Sequence, residues 1–307
     1  MHDIVTLTVN PALDKSTSCN GLIADAKIRC EAPTFEAGGG GINVSKAISR
    51  LEADSLCVFT SGGSAGELVE KLLQKEKIKT DTITVSNWTR ENLVVQDTNT
   101  QQQFRFGFPG GSLTIEEVTA VLDKIKKHKC RYLVASGSLN DGLSSDFYQQ
   151  IAAIAKENDS KLIIDTSGEA LKQVLETGVY LVKPNIGELA KLIGENRLEA
   201  DDAEDAARTL IDKGNAEIVV VSLGPQGALL VSKDQRHYIS APNVAKRSTV
   251  GAGDSMVGGM VWALSQNKSL KEVIQWGVAC GSAATISEGT QLFTLGDAQR
   301  LFRWLNK

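Results

Sequence analysis

Short β-branched runs alternating with longer stretches of helical spacing are the dominant pattern along this chain. Ile4-Val5-Thr6-Leu7-Thr8-Val9 is apolar and β-branched and stops at Asn10-Pro11, which predicts a strand ending in a turn. Residues 55–60, 132–136, 161–165, 180–182 and 217–222 predict further strands in the same way. Helical periodicity predicts helices over 42–51, 66–75, 115–128, 144–158, 169–176, 187–193 and 203–213. Residues 228–231 and 237–239, joined by Lys233-Asp234-Gln235, predict a hairpin, and the tail from 252 to 307 reads as helical. Apolar strands interleaved with amphipathic helices imply an α/β fold with a mainly parallel central sheet covered on both faces.

Two segments break that rhythm. Residues 17–35 and 92–108 alternate roughly between polar and apolar without helical spacing. Within the second, Leu93-Val94-Val95 and Gln103-Phe104-Arg105-Phe106 flank the polar turn Asp97-Thr98-Asn99-Thr100. A small separate sheet is expected from them, with lid-like strands over about 15–37 and 87–108. Without repeats, low-complexity tracts or an obvious linker, the 307 residues are expected to form one domain bearing that appendage.

Composition narrows the partners more than the fold. A formal net charge of −4 argues against a nucleic-acid or anionic-membrane partner, so phosphate recognition must come from local basic residues. Five cysteines without a Cys-x-x-Cys pair read as free thiols of a reducing cytoplasm. His2, His128 and His237 are too scattered to suggest a histidine metal site. With no apolar run near 18 residues and no basic-then-apolar leader, neither a membrane span nor secretion is expected.

The candidate chemistry centres on Ser248-Thr249-Val250-Gly251-Ala252-Gly253-Asp254-Ser255, just ahead of a helical run. Glycines that permit close backbone approach, set at a helix N-terminus, favour an anion such as phosphate. A carboxylate there repels a phosphate, and makes sense if Asp254 takes a proton from an attacking hydroxyl. The simpler alternative makes Asp254 a helix N-cap. Gly38-Gly39-Gly40-Gly41-Ile42-Asn43 is either a flexible hinge or a binding loop. Asn185 and Glu188, three apart at a strand-to-helix junction, suit a capping box or a Mg²⁺ held largely through water. Ser222-Leu223-Gly224-Pro225-Gln226-Gly227 is an ordinary turn or a nucleotide-facing one. Lys27, Arg29, Arg90 and Arg105 are scattered surface charges or, if the two lid segments pair, a phosphate clamp. Neither the Walker A pattern nor an early Gly-x-Gly-x-x-Gly is present.

Taken in order, Asn10–Asp14, Gly38–Asn43, Ser136-Gly137-Ser138-Leu139, Asp165-Thr166-Ser167-Gly168-Glu169, Lys183–Glu188, Ser222–Gly227 and Gly251–Asp254 resemble the ribokinase-like (PfkB-type) sugar kinases over nearly the whole chain. That resemblance implies a three-layer α/β/α sandwich with a β-sheet lid that pairs with its copy in a homodimer. It also implies transfer of a phosphoryl group from ATP to a sugar phosphate. Branches acting on tagatose 6-phosphate or fructose 1-phosphate usually carry a lysine where this chain has Gly40. The resemblance is therefore to the branch that phosphorylates fructose 6-phosphate at its 1-hydroxyl. Those two branches, and a non-catalytic sugar-phosphate or nucleotide sensor on the same scaffold, are the alternatives.

Carried over by position, Asp14, Gly38, Gly39 and Asn43 would hold sugar hydroxyls, while Arg90, Arg105 and Ser138, with Arg29 from the partner subunit, would hold the 6-phosphate. Lys27, Lys183, Asn185, Ser222, Gly224, Gly227, Ser248 and Val250 would line the nucleotide, with Glu188 orienting Mg²⁺ through water. Asp254 would be the base, and Gly251-Ala252-Gly253 the anion hole. Relatives often carry a monovalent cation, K⁺, beside Ser248, Val250, Ala284 and Gly289. One departure is Asn140-Asp141, which replaces the family's usual Pro-Pro before Gly142 and adds a charge near the expected sugar pocket.

Overall fold

The computed structural model describes residues 2–287 and 291–307. Its first half runs β1 (Ile4–Thr8), β2 (Ala12–Cys19), β3 (Thr34–Gly38), α1 (Gly40–Arg50), β4 (Leu56–Ser61), α2 (Gly63–Lys75), β5 (Lys79–Thr84), β6 (Arg90–Asp97) and β7 (Gln103–Gly107). There follow α3 (Ile115–Lys127), β8 (Tyr132–Ser136), α4 (Phe147–Glu157), β9 (Lys161–Asp165), α5 (Gly168–Leu175), β10 (Val179–Val182), α6 (Ile186–Ile193) and α7 (Ala203–Asp212). The last part comprises β11 (Ala216–Ser222), β12 (Ala228–Ser232), β13 (Arg236–Ile239), α8 (Ala252–Ser265), α9 (Leu270–Ile286) and α10 (Leu295–Leu305).

Nine strands form one sheet in the order β13-β12-β11-β10-β9-β8-β1-β4-β5. It is parallel from β11 to β5, and the hairpin β12–β13 adds two antiparallel strands at one edge. Alternation along β1 shows why the sheet is covered twice. Val5 and Leu7 pack into one apolar cluster with residues of α3, α4, α5 and α7. Ile4 enters the opposite cluster, formed with α1, α8, α9 and α10. Thr6 and Thr8 face α1, where Thr6 Oγ1 hydrogen-bonds Ser45 Oγ at 2.8 Å and Thr8 Oγ1 accepts the Ile42 N–H at 3.0 Å. Chain order reverses beside β1, so the carboxyl ends of β1 and β8 flank the crevice where open α/β sheets bind ligands.

The smaller sheet has the order β3-β2-β6-β7. β2 and β6 pair in parallel, whereas β2–β3 and β6–β7 are antiparallel. Its strands occupy less than the expected alternating segments: between Cys19 and Thr34 the chain is mostly loop. β2 also begins earlier than expected, immediately after the Asn10-Pro11 turn. Strand β5 carries no strand signal in the sequence because Ile83 is the one buried side chain of Lys-Thr-Asp-Thr-Ile-Thr at the sheet margin. Among the described residues no helix is long and apolar enough to cross a membrane.

Helix α8 is the element that aims the site. Its glycines let neighbouring helices approach closely: a Cβ at Gly258 would lie 2.5 Å from Ala47 Cβ on α1, and one at Gly259 would lie 2.7 Å from Trp276 O on α9. At these two positions no side chain of α8 stands between it and α1 or α9.

Candidate active site

Gly251, with φ +70°, caps α8 in the left-handed conformation that glycine tolerates best. The helix then begins at Ala252, so Asp254 lies inside its first turn rather than at the cap. The N-cap reading of Asp254 is thus overturned. Its carboxylate Oδ2 accepts a hydrogen bond of 2.8 Å from Asn43 Nδ2, which α1 brings across the close α1–α8 contact. Gly253 leaves the approach bare, with its Cβ position 3.7 Å from Lys183 Nζ. First-turn N–H groups of Gly253 and Asp254 have no partner within the helix and present a partial positive charge to an anion.

Lys183, buried at 7% exposure at the end of β10, pairs with Asp165 of β9 at 3.1 Å. Burial pulls its pKa down, but Asp165, and behind it Asp254 and Glu188, outweigh burial and hold the ammonium above its usual range. Asp254 shows the converse. Burial, then the Asp165 carboxylate, pushes its pKa up to about 6, against the opposing pull of Asn43 and Lys183. A carboxylate poised near neutrality beside a bare helix N-terminus is equipped to accept a proton while an anion is held alongside.

Asp14 stands on β2 opposite Asn92 of β6, whose Nδ2 donates to Asp14 Oδ1 at 2.8 Å. Burial raises the Asp14 pKa. Gly38 faces this carboxylate so closely that a Cβ would overlap it. Gly39 takes φ +120°, and Gly40 and Gly41 open α1. A Cβ at Gly41 would come 2.5 Å from Leu7 O, and one at Gly40 would overlap Ser136 Oγ and stand 2.7 Å from Gly137 N. Gly40 and Gly41 serve close approach between strand ends and α1, and Gly39 supplies the positive φ of the turn into the helix. A side chain at Gly40 has no room in this arrangement.

Ser138 Oγ accepts from Asn10 Nδ2 at 3.2 Å, and Asn10 O accepts from Arg90 Nη2 at 3.3 Å, so these three cluster beyond β1 and β8. Arg90 Nε is buried without a hydrogen-bond partner among the described residues. Burial lowers the Arg90 pKa and the nearby Asp14 opposes the shift. Arg105, on β7, reaches the main body instead: Nη2 donates to Thr249 Oγ1 at 3.2 Å, three residues before Ala252. Asn140 Nδ2 donates to Gly111 O at 2.7 Å, so the residue in place of the usual proline ties two loops together.

Asn185 and Glu188 form the full capping box of α6: Asn185 Oδ1 accepts the Glu188 N–H and Glu188 Oε2 accepts the Asn185 N–H, both at 2.9 Å. Glu188 Oε1 takes no part in the box. Ser222 lies beside Asn185, its N–H donating to Pro184 O at 3.0 Å. Gly224 is exposed, whereas Gly227 is buried with its N–H and C=O engaged inside the turn. Ser248 N and Arg247 N both donate to Thr285 O, which brings Ser248 and Val250 beside the end of α9 that contains Ala284. Gly289 lies outside the described residues. Lys27 and Arg29 are on the exposed β2–β3 loop, where neither forms a hydrogen bond or ion pair among the described residues.

A family model described as pfkB family carbohydrate kinase matches residues 5–295. The chain belongs to the pfkB family of carbohydrate kinases. Among its relatives is ATP-dependent 6-phosphofructokinase isozyme 2 of Escherichia coli, 40% identical over 100% of both chains. Solved structures of the Escherichia coli enzyme, with fructose-6-phosphate and with potassium, superimpose at TM-scores of 0.94 and 0.96, each over 100% of both chains at 40% identity. A 1-phosphofructokinase of Bacillus subtilis is 31% identical, covering 94% of this chain and 95% of its own. Arabidopsis thaliana ribokinase, at 18% identity and TM-score 0.77 over 98% of this chain and 99% of its own, shares the ribokinase-like fold.

Two residues of this pfkB-family site carry no local signal. Asn92 meets Asp14 through the parallel β2–β6 register, 78 positions away, and Asp165 meets Lys183 across adjacent strands. Asn43 invites a direct test. Asn43→Ala removes a donor from the charged form of Asp254, so the Asp254 pKa rises above about 6. The acid limb of the kcat–pH profile then shifts to higher pH, with kcat at pH 6.5 falling roughly ten-fold. An unmoved limb would separate Asn43 from the ionisation of Asp254.

Proposed function

We propose that this pfkB-family kinase transfers the γ-phosphoryl group of ATP to the 1-hydroxyl of fructose 6-phosphate, giving fructose 1,6-bisphosphate. The observation that carries the reading is Asp254, raised in pKa and held by Asn43, beside buried Lys183 at the bare start of α8. The preference for fructose 6-phosphate is supported by the 40% identity to the Escherichia coli enzyme and by the crowding at Gly40, which leaves no room for a lysine.

In this reading the whole chain works as one kinase domain with the small sheet as its lid. Asp14, Gly38, Gly39 and Asn43 hold the sugar hydroxyls, and Arg90, Arg105 and Ser138 hold the 6-phosphate, with Arg29 reaching in from a second subunit. Asp254 takes the hydroxyl proton as the oxygen attacks phosphorus. The N–H groups at Gly251-Ala252-Gly253 and the Lys183 ammonium stabilise the transferring charge. Lys27, Asn185, Ser222, Gly224 and Gly227 flank the nucleotide. Glu188, with one carboxylate oxygen outside the capping box, suits a Mg²⁺ that keeps most of its waters. Such an ion neutralises phosphate charge when bound. Ser248, Val250, Ala284 and Gly289 are assigned to K⁺.

Exposed Phe106 and Phe108 on or next to β7, with Ile23 on the β2–β3 loop, support a homodimer formed through the lid. A tetrameric inhibited form is known for the Escherichia coli enzyme. All five cysteines are free, which suits a cytoplasmic enzyme. ADP release at matched concentrations of fructose 6-phosphate, tagatose 6-phosphate and fructose 1-phosphate tests the substrate. Fructose 6-phosphate is expected to give the highest kcat/KM. A higher value for either rival replaces the substrate assignment, and nucleotide binding without turnover for any of the three refutes the kinase reading.

A further inference from the structure

We infer that Cys19 and Cys30 form a reversible disulfide that ties down the loop carrying Lys27 and Arg29. Cys19 ends β2, and Cys30 faces it in an isolated antiparallel bridge. The Glu31 N–H donates to Ser18 O at 2.9 Å, so the hydrogen bond falls outside the cysteine pair. That is the mark of a non-hydrogen-bonded pair, in which opposed Cα atoms stand about 4.5 Å apart with side chains on the same face. Protein disulfides span Cα separations of about 4.4–6.8 Å.

The pairing depends on a deliberate slip in register. Ser16 pairs with Thr34, but Cys19 pairs with Cys30, so three steps along β2 match four on the returning strand. The extra residue is a bulge; without it Glu31, not Cys30, would face Cys19. Both sides of the pair are anchored. Thr17 Oγ1 donates to Glu31 O at 2.8 Å, Cys19 O accepts from Thr98 N at 2.9 Å, and Asp97 accepts the N–H groups of Gly21 and Leu22 at 3.1 and 3.2 Å. Residues 23–29 between these anchors are largely exposed.

Cys19 is buried and Cys30 exposed. Burial, with Cys30 and Asp97 nearby, holds the Cys19 thiol above its usual pKa, so Cys30 reacts first. The Cys30 thiolate attacks a small-molecule disulfide such as oxidised glutathione, breaking its S–S bond and releasing one thiol. Cys19 then attacks the Cys30 sulfur of the mixed disulfide and releases the second thiol. The two protein thiols lose two electrons and two protons, and the small disulfide gains them as two thiols. The linkage does not rest on the kinase reading.

Full-length protein treated with oxidised glutathione, then alkylated and digested with trypsin without reduction, gives the test. The intact mass is expected to fall by about 2 Da, with the Cys19 and Cys30 peptides joined and dithiothreitol reversing both changes. Limited cleavage after Lys27 or Arg29 leaves the oxidised chain at full length on a non-reducing gel and separates the reduced one. Cys19→Ser carries one glutathione on Cys30, while Cys30→Ser carries none on Cys19. A wild-type protein that keeps both thiols, or that accumulates only the Cys30 glutathione adduct, overturns the inference.

Discussion

Asp254→Asn is expected to lower kcat by about 10²–10⁴-fold, the usual worth of a positioned general base. The substitution keeps shape and the Asn43 contact site but removes the proton acceptor. Nucleotide affinity should change far less than turnover, because the N–H groups of the α8 start and Lys183 remain. A second signature comes from linkage. With a folded pKa pushed up to about 6, the Asp254 carboxylate opposes folding: its cost grows as pH rises from about 4 through 6 and is complete above that. Asparagine carries no such charge, so the variant should gain on the order of 3 kcal/mol of stability at pH 7.5 and well under 1 kcal/mol at pH 4. Steady-state kinetics and urea unfolding at the two pH values check both halves. Turnover within a few-fold of the parent would remove Asp254 from the chemistry.

Lys183→Met should have the largest combined effect on fold and rate. Lys183 is buried and pairs with Asp165 at 3.1 Å, in a region where Glu188 and Asp254 add negative charge. Removing the ammonium leaves Asp165 without its partner, and broken buried pairs cost roughly 3–5 kcal/mol. It also removes a charge that favours ionised Asp254, so the Asp254 pKa climbs further above about 6 and the acid limb of the activity profile moves with it. Urea unfolding and a kcat–pH series measure the two consequences. Unchanged stability together with an unmoved limb would mean that Lys183 is peripheral to the site.

These two residues show how unevenly the site could be read from the chain. The capping box of Asn185 and Glu188 was legible because its two partners sit three residues apart, and the structure forms it as that spacing predicts. The strands at 132–136 and 161–165 and the hairpins at 93–106 and 228–239 were legible for the same reason: short apolar runs and polar turns act within a few residues. Asp254 was conspicuous, yet its local context equally allowed a cap. Only the left-handed Gly251, which starts the helix three residues earlier, separates those readings. Polar edge strand β5 was missed because a strand with one buried side chain has almost no apolar alternation to detect.

The amino-acid sequence by itself determined the alternating strands and helices, the turns that end them and the glycine-rich helix start, because each depends on backbone preferences and neighbours along the chain. Tertiary structure alone decided that Asn92 meets Asp14, Asp165 meets Lys183 and Asn43 meets Asp254. Those contacts follow from sheet register and from the close α1–α8 packing that Gly258 permits against Ala47. They also set the proton affinity of Asp254, since burial and charges contributed by distant segments, not its neighbours in sequence, raise it toward neutrality.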